Sequence, residues 1–194
     1  MKPADRDGAA RAIFAFIEAL GYDTNAPELV GTPTRVASAF IDELVRGERL
    51  DLAELVRAGS EPVVGKPPGL VLVKDISVTT ICPHHLLPAV GKASVAYLPG
   101  ERLLGLGTVA RLVEACGQRL ALQEAVGESV VQALLTHGGA RGAFCRMELL
   151  HTCLSARGAG KPEARLVTLA QGGALSEPNA ELVLSLALGS GSSA

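Results

Sequence analysis

Two short stretches that lie far apart in the chain must meet if their side chains act together, namely Cys82-Pro83-His84-His85 and His151-Thr152-Cys153. Together they hold three of the four histidines and two of the four cysteines in 194 residues. Thiolate and imidazole are the donors that borderline-soft divalent metals such as zinc prefer, and a catalytic zinc takes three of them so that water can hold the fourth position. A fold that serves such a site has to carry both segments to one place, which constrains the architecture more than any single helix or strand signal. A Cys-x-x-His pair alone is a weak signal. Joined to a distant His-x-Cys in a chain this poor in both residues, it favours a metal over the bland alternative of small buried thiols and structural imidazoles.

Local pattern sorts the five candidates. Residues 144–154 are apolar enough for a buried strand, and alternate residues of a strand share a face, so His151, Cys153, Ser155 and Arg157 are expected to point the same way. Cys82 and His85 follow the strand-like residues 69–81, where a tight turn can bring both onto one metal while His84 projects elsewhere. Cys82, His85 and Cys153 are therefore read as the ligands. His84 and His151 stay free beside the metal for proton transfer, which suits a side chain whose unperturbed pKa lies near neutrality.

Composition narrows the class of protein. With 48% hydrophobic residues the chain can build one domain around a good core, with a small N-terminal helical part packed separately. No apolar run approaches the roughly 20 residues that span a bilayer, and the first residues lack the apolar stretch of a signal peptide, so a soluble, cytoplasmic protein is expected. In that compartment thiols stay reduced, which makes Cys116 and Cys145 core residues rather than disulfide partners. The 18 basic and 20 acidic residues nearly cancel, and two Tyr, four Phe and no Trp offer little for base stacking, so neither nucleic acid nor a membrane is an expected partner.

Along the chain, Ile13, Phe14, Ile17 and Leu20 mark a helix over residues 8–20, stopped by Gly21. Thr32-Pro33 reads as a helix start with the hydroxyl at the N-cap, followed by Val36, Phe40 and Leu44 on one face. A shorter helix is expected over residues 51–58, and the proline-rich residues 59–69 read as a linker. The period then changes. Strands are expected over 70–81 and 91–98 with a Pro99-Gly100 turn; two helices follow, one carrying Val109 to Leu120 and the other Val126 to Leu135, with Gln123-Glu124 at their junction. Gly138-Gly139 ends the second helix, residues 144–154 and 165–170 form two more strands, and a weak helix over 180–188 precedes a disordered Gly/Ser tail at 189–194. The fold class is α+β: a helical region over 1–68, then a ββααββ unit with an antiparallel sheet over 69–188.

Thr32-Pro33-Thr34-Arg35-Val36-Ala37, Val73-Lys74-Asp75-Ile76, Cys82-Pro83-His84-His85-Leu86-Leu87-Pro88, Gly105 through Arg111, Gln123-Glu124, and His151-Thr152-Cys153 through Arg157-Gly158 follow one another in a recognisable order and spacing. In these segments the chain resembles GTP cyclohydrolase I, a zinc enzyme of the tunnelling fold that converts GTP and water to 7,8-dihydroneopterin triphosphate and formate. The resemblance implies a zinc ion on Cys82, His85 and Cys153, in agreement with the ligands read from spacing, and proton-transfer roles for His84 and His151. It further implies that Gln123 and Glu124 read the guanine edge and that Arg35, Arg111 and Arg157 bind the triphosphate. Two pentameric rings face to face are implied as the assembly, a homodecamer with active sites between subunits, so that Gln123 and Glu124 are expected to face a neighbour's zinc.

The chain departs from the family at four points. Pro83 replaces a glutamate, Ser38 stands where lysine is common, Gly107-Thr108 stands where Ser-Lys is common, and residues 161–173 lack the usual serine and threonine pattern. Two phosphate-binding cations are thus missing, and charge-assisted contacts to phosphate are the strong ones. The alternative this raises is a zinc-dependent paralogue acting on a guanine compound with fewer phosphates, or one stopping at a ring-opened intermediate. A non-hydrolytic tunnelling-fold enzyme, such as a nitrile reductase, needs a nucleophilic cysteine, whereas the matching cysteines here are committed to metal. An inactive scaffold would be expected to lose ligands first.

Overall fold

A computed structural model describes residues 3–158 and 160–176. The helix α1 spans Arg6–Ala19, and the Asp5 side chain caps it by accepting from the Gly8 amide. None of its residues is buried, and it packs against α2, Thr32–Ala39. The start of α2 differs from the sequence reading. Gly31, in the left-handed region at φ 78°, is the N-cap, and the Thr32 hydroxyl accepts from Arg35 Nη2 at 2.8 Å instead of capping the helix. A π-helical turn, Phe40–Leu44, and a 3-10 turn, Arg46–Arg49, lead to α3, Leu52–Ala58, capped by Asp51.

The stretch read as a linker is partly structured. Ser60–Pro62 forms strand β1, which pairs with β4, Arg102–Leu104. Arg102 clamps the pair by donating to the Ser60 hydroxyl at 2.8 Å and to the Ser60 carbonyl at 2.6 Å. Prolines hide such a strand from sequence reading because they cannot donate to a ladder, yet an edge tolerates them.

The main sheet contains β2 (Val71–Ile81), β3 (Pro88–Leu98), β5 (Gly142–His151) and β6 (Leu166–Gly173), in the order β2-β3-β5-β6 with every neighbour antiparallel. Helices α4 (Leu106–Gly117) and α5 (Gln123–Thr136) pack on it, which yields the expected ββααββ order. Tyr97, Leu112, Leu134, Met147 and Leu149 are fully buried between these layers, and each such side chain stabilises by about 1.5–3 kcal/mol. Cys116 and Cys145 lie in the same core, where burial pushes both thiols up to about 12, so they are inert hydrophobes as expected.

Register brings the two chemical segments together. Pro88, the first residue of β3, pairs with Ile81 at the end of β2, and the next residue, Ala89, pairs with His151 at the end of β5. The Cys82 loop and the His151 end therefore occupy one end of one sheet. The expected strand through residue 154 is cut short. Beyond the Ala89–His151 pair the ladder runs out, because the next β3 residue, Pro88, has no amide to donate and the β6 pairing begins at Leu149–Leu166. The backbone satisfies itself in a helical turn, α6 (Thr152–Ser155), with the Ala156 amide donating to Thr152 O at 3.0 Å. The single strand face expected for His151, Cys153, Ser155 and Arg157 accordingly does not form. The helix expected over 180–188 and the tail at 189–194 lie outside the described residues. Among the described residues no helix is long and apolar enough to cross a membrane.

Candidate metal and catalytic site

The six residues between β2 and β3 close in a tight turn, with the Cys82 amide donating to Leu87 O and the Leu86 amide to Cys82 O, both at 2.9 Å. Pro83 fixes its first corner, and Leu86 sits at φ 53°, a left-handed conformation that costs a non-glycine residue about 1–2 kcal/mol and persists here at a functional turn. Across the sheet end, the Thr152 hydroxyl donates to Pro88 O at 2.7 Å and ties α6 to the start of β3. Sequence reading missed Thr152 in this role, since a hydroxyl that bonds a residue sixty-four positions away leaves no local pattern.

These constraints gather Cys82, His85 and Cys153: their donor atoms all lie within 4.8 Å of one another, with Cys82 Sγ 3.9 Å from His85 Nδ1. Donors around a tetrahedral zinc sit about 3.5–4 Å apart, so the group fits a soft divalent cation by both spacing and chemistry. Burial pushes the Cys153 thiol up, and the adjacent Cys82 sulfur adds to the shift because two thiolates repel. A cation relieves that repulsion.

The remaining imidazoles differ in setting. His84 is exposed on the turn, its ring edge-on to that of His85 with centroids 6.3 Å apart. His151 is half-buried and helps to line a cavity of 240 Å³ with Cys153, Leu154, Ala164 and Leu166. Burial pulls its pKa down, and Glu124 partly opposes the shift. Both residues of the α5 pair therefore approach His151 of their own chain, rather than only a neighbour's site: Gln123 Oε1 lies 2.9 Å from His151 Nε2. Gln123 is 1% exposed and Glu124 is exposed, so the pair divides into an inner and an outer residue.

The three arginines have different partners within the chain. Arg157 is exposed and close enough to Cys153 to favour its thiolate. Arg35 turns back on its own helix start, donating to Val30 O and Thr32 Oγ1, and Arg111 donates to Thr108 Oγ1 at 3.4 Å beside the groove between α4 and β2. At Ser38 a cation arrives by another route. Arg6 Nη1 donates to the Ser38 hydroxyl at 2.9 Å, but the same guanidinium grips Asp42 at 2.7 and 2.8 Å, so its charge is already compensated. Thr108 is 2% exposed, and its hydroxyl would be 2.0 Å from any Cβ added at Gly59. A cation cannot simply be restored there. Thr108→Lys is expected to destabilise by about 2–3 kcal/mol through overpacking and a buried charge, seen as a melting temperature lowered by about 5–10 °C, whereas Ser38→Lys stays near wild type.

Residues 9–186 match the family described as GTP cyclohydrolase I. Among named relatives, GTP cyclohydrolase 1 of Leifsonia xyli subsp. xyli (strain CTCB07) is 35% identical over 190 residues, covering 96% of this chain and 97% of that one. GTP cyclohydrolase 1 of Bifidobacterium longum (strain DJO10A) is 38% identical over 175 residues, 90% of this chain and 86% of the other. A solved structure, the archaeosine synthase QueF-Like in the apo form, superposes with TM-score 0.44 at 17% identity over 56% of this chain and 97% of that one, a likeness too loose to bear on the site.

Proposed function

This chain belongs to the GTP cyclohydrolase I family and is therefore a hydrolase, and from that premise we propose that it converts GTP and water to 7,8-dihydroneopterin triphosphate and formate with a zinc ion on Cys82, His85 and Cys153. The observation that carries the proposal is the meeting of two thiols and an imidazole, from distant segments, beside the second imidazole of His151 at one sheet end. When bound, the metal supplies Lewis-acid activation of water at neutral pH. Opening the imidazole ring of guanine requires water at carbon 8 and a proton on the ring nitrogen that departs; a second water releases the formyl group as formate, and the water lost when the opened, rearranged ribose closes on the freed amine restores the net consumption of one. His84 and His151, the imidazoles next in chain or space to the donor set, are assigned the proton movements. Glu124, exposed and ionisable, is assigned the guanine N1 and 2-amino hydrogens; a site that pairs those groups rejects adenine by leaving a polar group unmatched. Gln123 lies buried beside Glu124 in the chain, its amide already satisfied by Met147, Leu166, Thr168 and His151.

Arg35, Arg111 and Arg157 are assigned to the triphosphate. Each sits in a different setting within one chain, on α2, on α4 and after α6, which is compatible with a site completed by neighbours. Among the described residues the main sheet ends at β2 and β6, and joining such outer strands side by side gives a ring, which we propose stacks as two pentamers in the cytoplasm. Light scattering is expected to give a decamer, and a monomer overturns the ring. A guanine compound with fewer phosphates is not favoured as substrate, because the Leifsonia and Bifidobacterium relatives carry the GTP name over nearly their whole length. The deciding experiment incubates the zinc-loaded protein with GTP and follows formate and the pterin chromophore together. Neither product appearing overturns the assignment.

A further inference from the structure

The amide of Gln123 is enclosed on two sides. On one, its nitrogen lies 3.2 Å from the Met147 carbonyl, 3.1 Å from the Leu166 carbonyl and 2.9 Å from the Thr168 hydroxyl; on the other, its oxygen lies 2.9 Å from His151 Nε2. Carbonyl oxygens only accept. An amide turned the other way would set its own oxygen against two carbonyls with no hydrogen between them, and each buried polar group left unpaired costs about 1–3 kcal/mol. The NH2 group is therefore the one that faces β5 and β6, where Met147 and Thr168 are cross-strand partners. The oxygen consequently faces His151 and cannot donate, so the hydrogen shared by the two side chains belongs to Nε2 of the imidazole. A neutral imidazole carries one N–H, and with that hydrogen on Nε2 its Nδ1 is bare.

We infer that Gln123 is a positioning residue that locks His151 in the Nε2–H tautomer and so fixes Nδ1 as the nitrogen that takes up and returns the proton during the reaction. The catalytic half of this statement rests on the proton-transfer role proposed for His151; the tautomer does not. The lock is built from the sheet itself. Two of its three acceptors are backbone carbonyls whose positions are set by the β5–β6 register, so the amide cannot flip without breaking contacts to both strands. With Nε2 closed off, the ring nitrogen left for the cavity that His151 shares with Cys153 is Nδ1. The same arrangement explains why Gln123, buried at 1% exposure, differs from its exposed neighbour Glu124: it acts through His151 rather than on substrate.

The test begins with the full-length protein labelled with 15N only at its four histidines, with His151→Asn to identify the resonances. The expected spectrum shows His151 as a single tautomer with a slowly exchanging Nε2 proton; an Nδ1–H tautomer, or an Nε2 proton that exchanges freely with water, overturns the lock. In Gln123→Met that proton is expected to exchange freely. Turnover of GTP by this variant is expected to fall about tenfold or more with KM changed less than about threefold, as for loss of an oriented acid–base group. A raised KM with kcat intact is the mark of a residue that reads substrate, and overturns the positioning role. Cys116→Ala, a core change outside the lock, is expected to retain the protected proton and kcat within about twofold, which guards against a general loss of folding. If GTP yields no formate in any form of the protein while wild type shows the protected Nε2 proton, the functional reading fails and the lock stands.

Discussion

Cys153→Ala is expected to emerge from purification without its metal and to lose more than about a thousandfold of its turnover, with no recovery when zinc is added back. The number of donors is what makes the loss so complete. A catalytic zinc is held by three protein donors, and the donors here come from two distant chain segments brought together across β3. Removing one leaves Cys82 and His85, both from a single six-residue loop, and two donors on a turn do not hold zinc against solvent. Elemental analysis of the purified variant decides the question, and full retention of metal overturns the ligand set. Acid should act in the same direction on wild type. Burial and the Cys82 sulfur raise the Cys153 thiol, so protons compete with the metal there, and occupancy is expected to fall as pH drops. Cys116→Ala is the contrasting control: this thiol is fully buried in the core, so its loss costs about 1 kcal/mol or slightly more of stability and no metal.

The grouping of Cys82, His85 and Cys153 was legible in the sequence because zinc chemistry restricts residue type and because Cys-x-x-His is a local spacing that a turn after a strand can satisfy. The element order was legible because apolar period changes sharply at residue 70 and again near residue 109. The detailed course of the backbone at the site was not. A strand is written by alternation, but where it ends depends on where its partners begin, and the partners of β5 start at Pro88 and Leu166, positions far away in the chain. Hence the strand face predicted through Arg157 gave way to a helical turn after His151. The same reason hid Thr152, Thr168 and the inner role of Gln123, each of which acts through a bond to a distant residue. The Thr32 cap failed differently. Its hydroxyl had a choice between the helix amides and Arg35, and the guanidinium took it.

His84→Ala and His151→Ala are expected to keep their metal and lose about 10²–10⁴-fold in turnover, since neither ring is among the donors and a positioned acid–base group contributes on that scale. The two losses should be separable by stability. His84 is exposed on the turn, and removing its ring leaves no buried group unpaired, so its melting temperature is expected to stay near wild type. His151 is half-buried and gives its Nε2 hydrogen to Gln123; truncating it strands a buried amide oxygen and opens space beside Cys153, at a cost of about 1–3 kcal/mol. The melting temperature of His151→Ala is therefore expected to fall by about 2–10 °C while zinc content holds. Parallel measurement of zinc, kcat and melting temperature on both variants makes the assignment vulnerable from two sides. Full activity in either variant removes that histidine from the proton-transfer pair. Loss of metal in His151→Ala moves its ring from the proton path into the donor set and forces the choice of three ligands among five candidates to be made again.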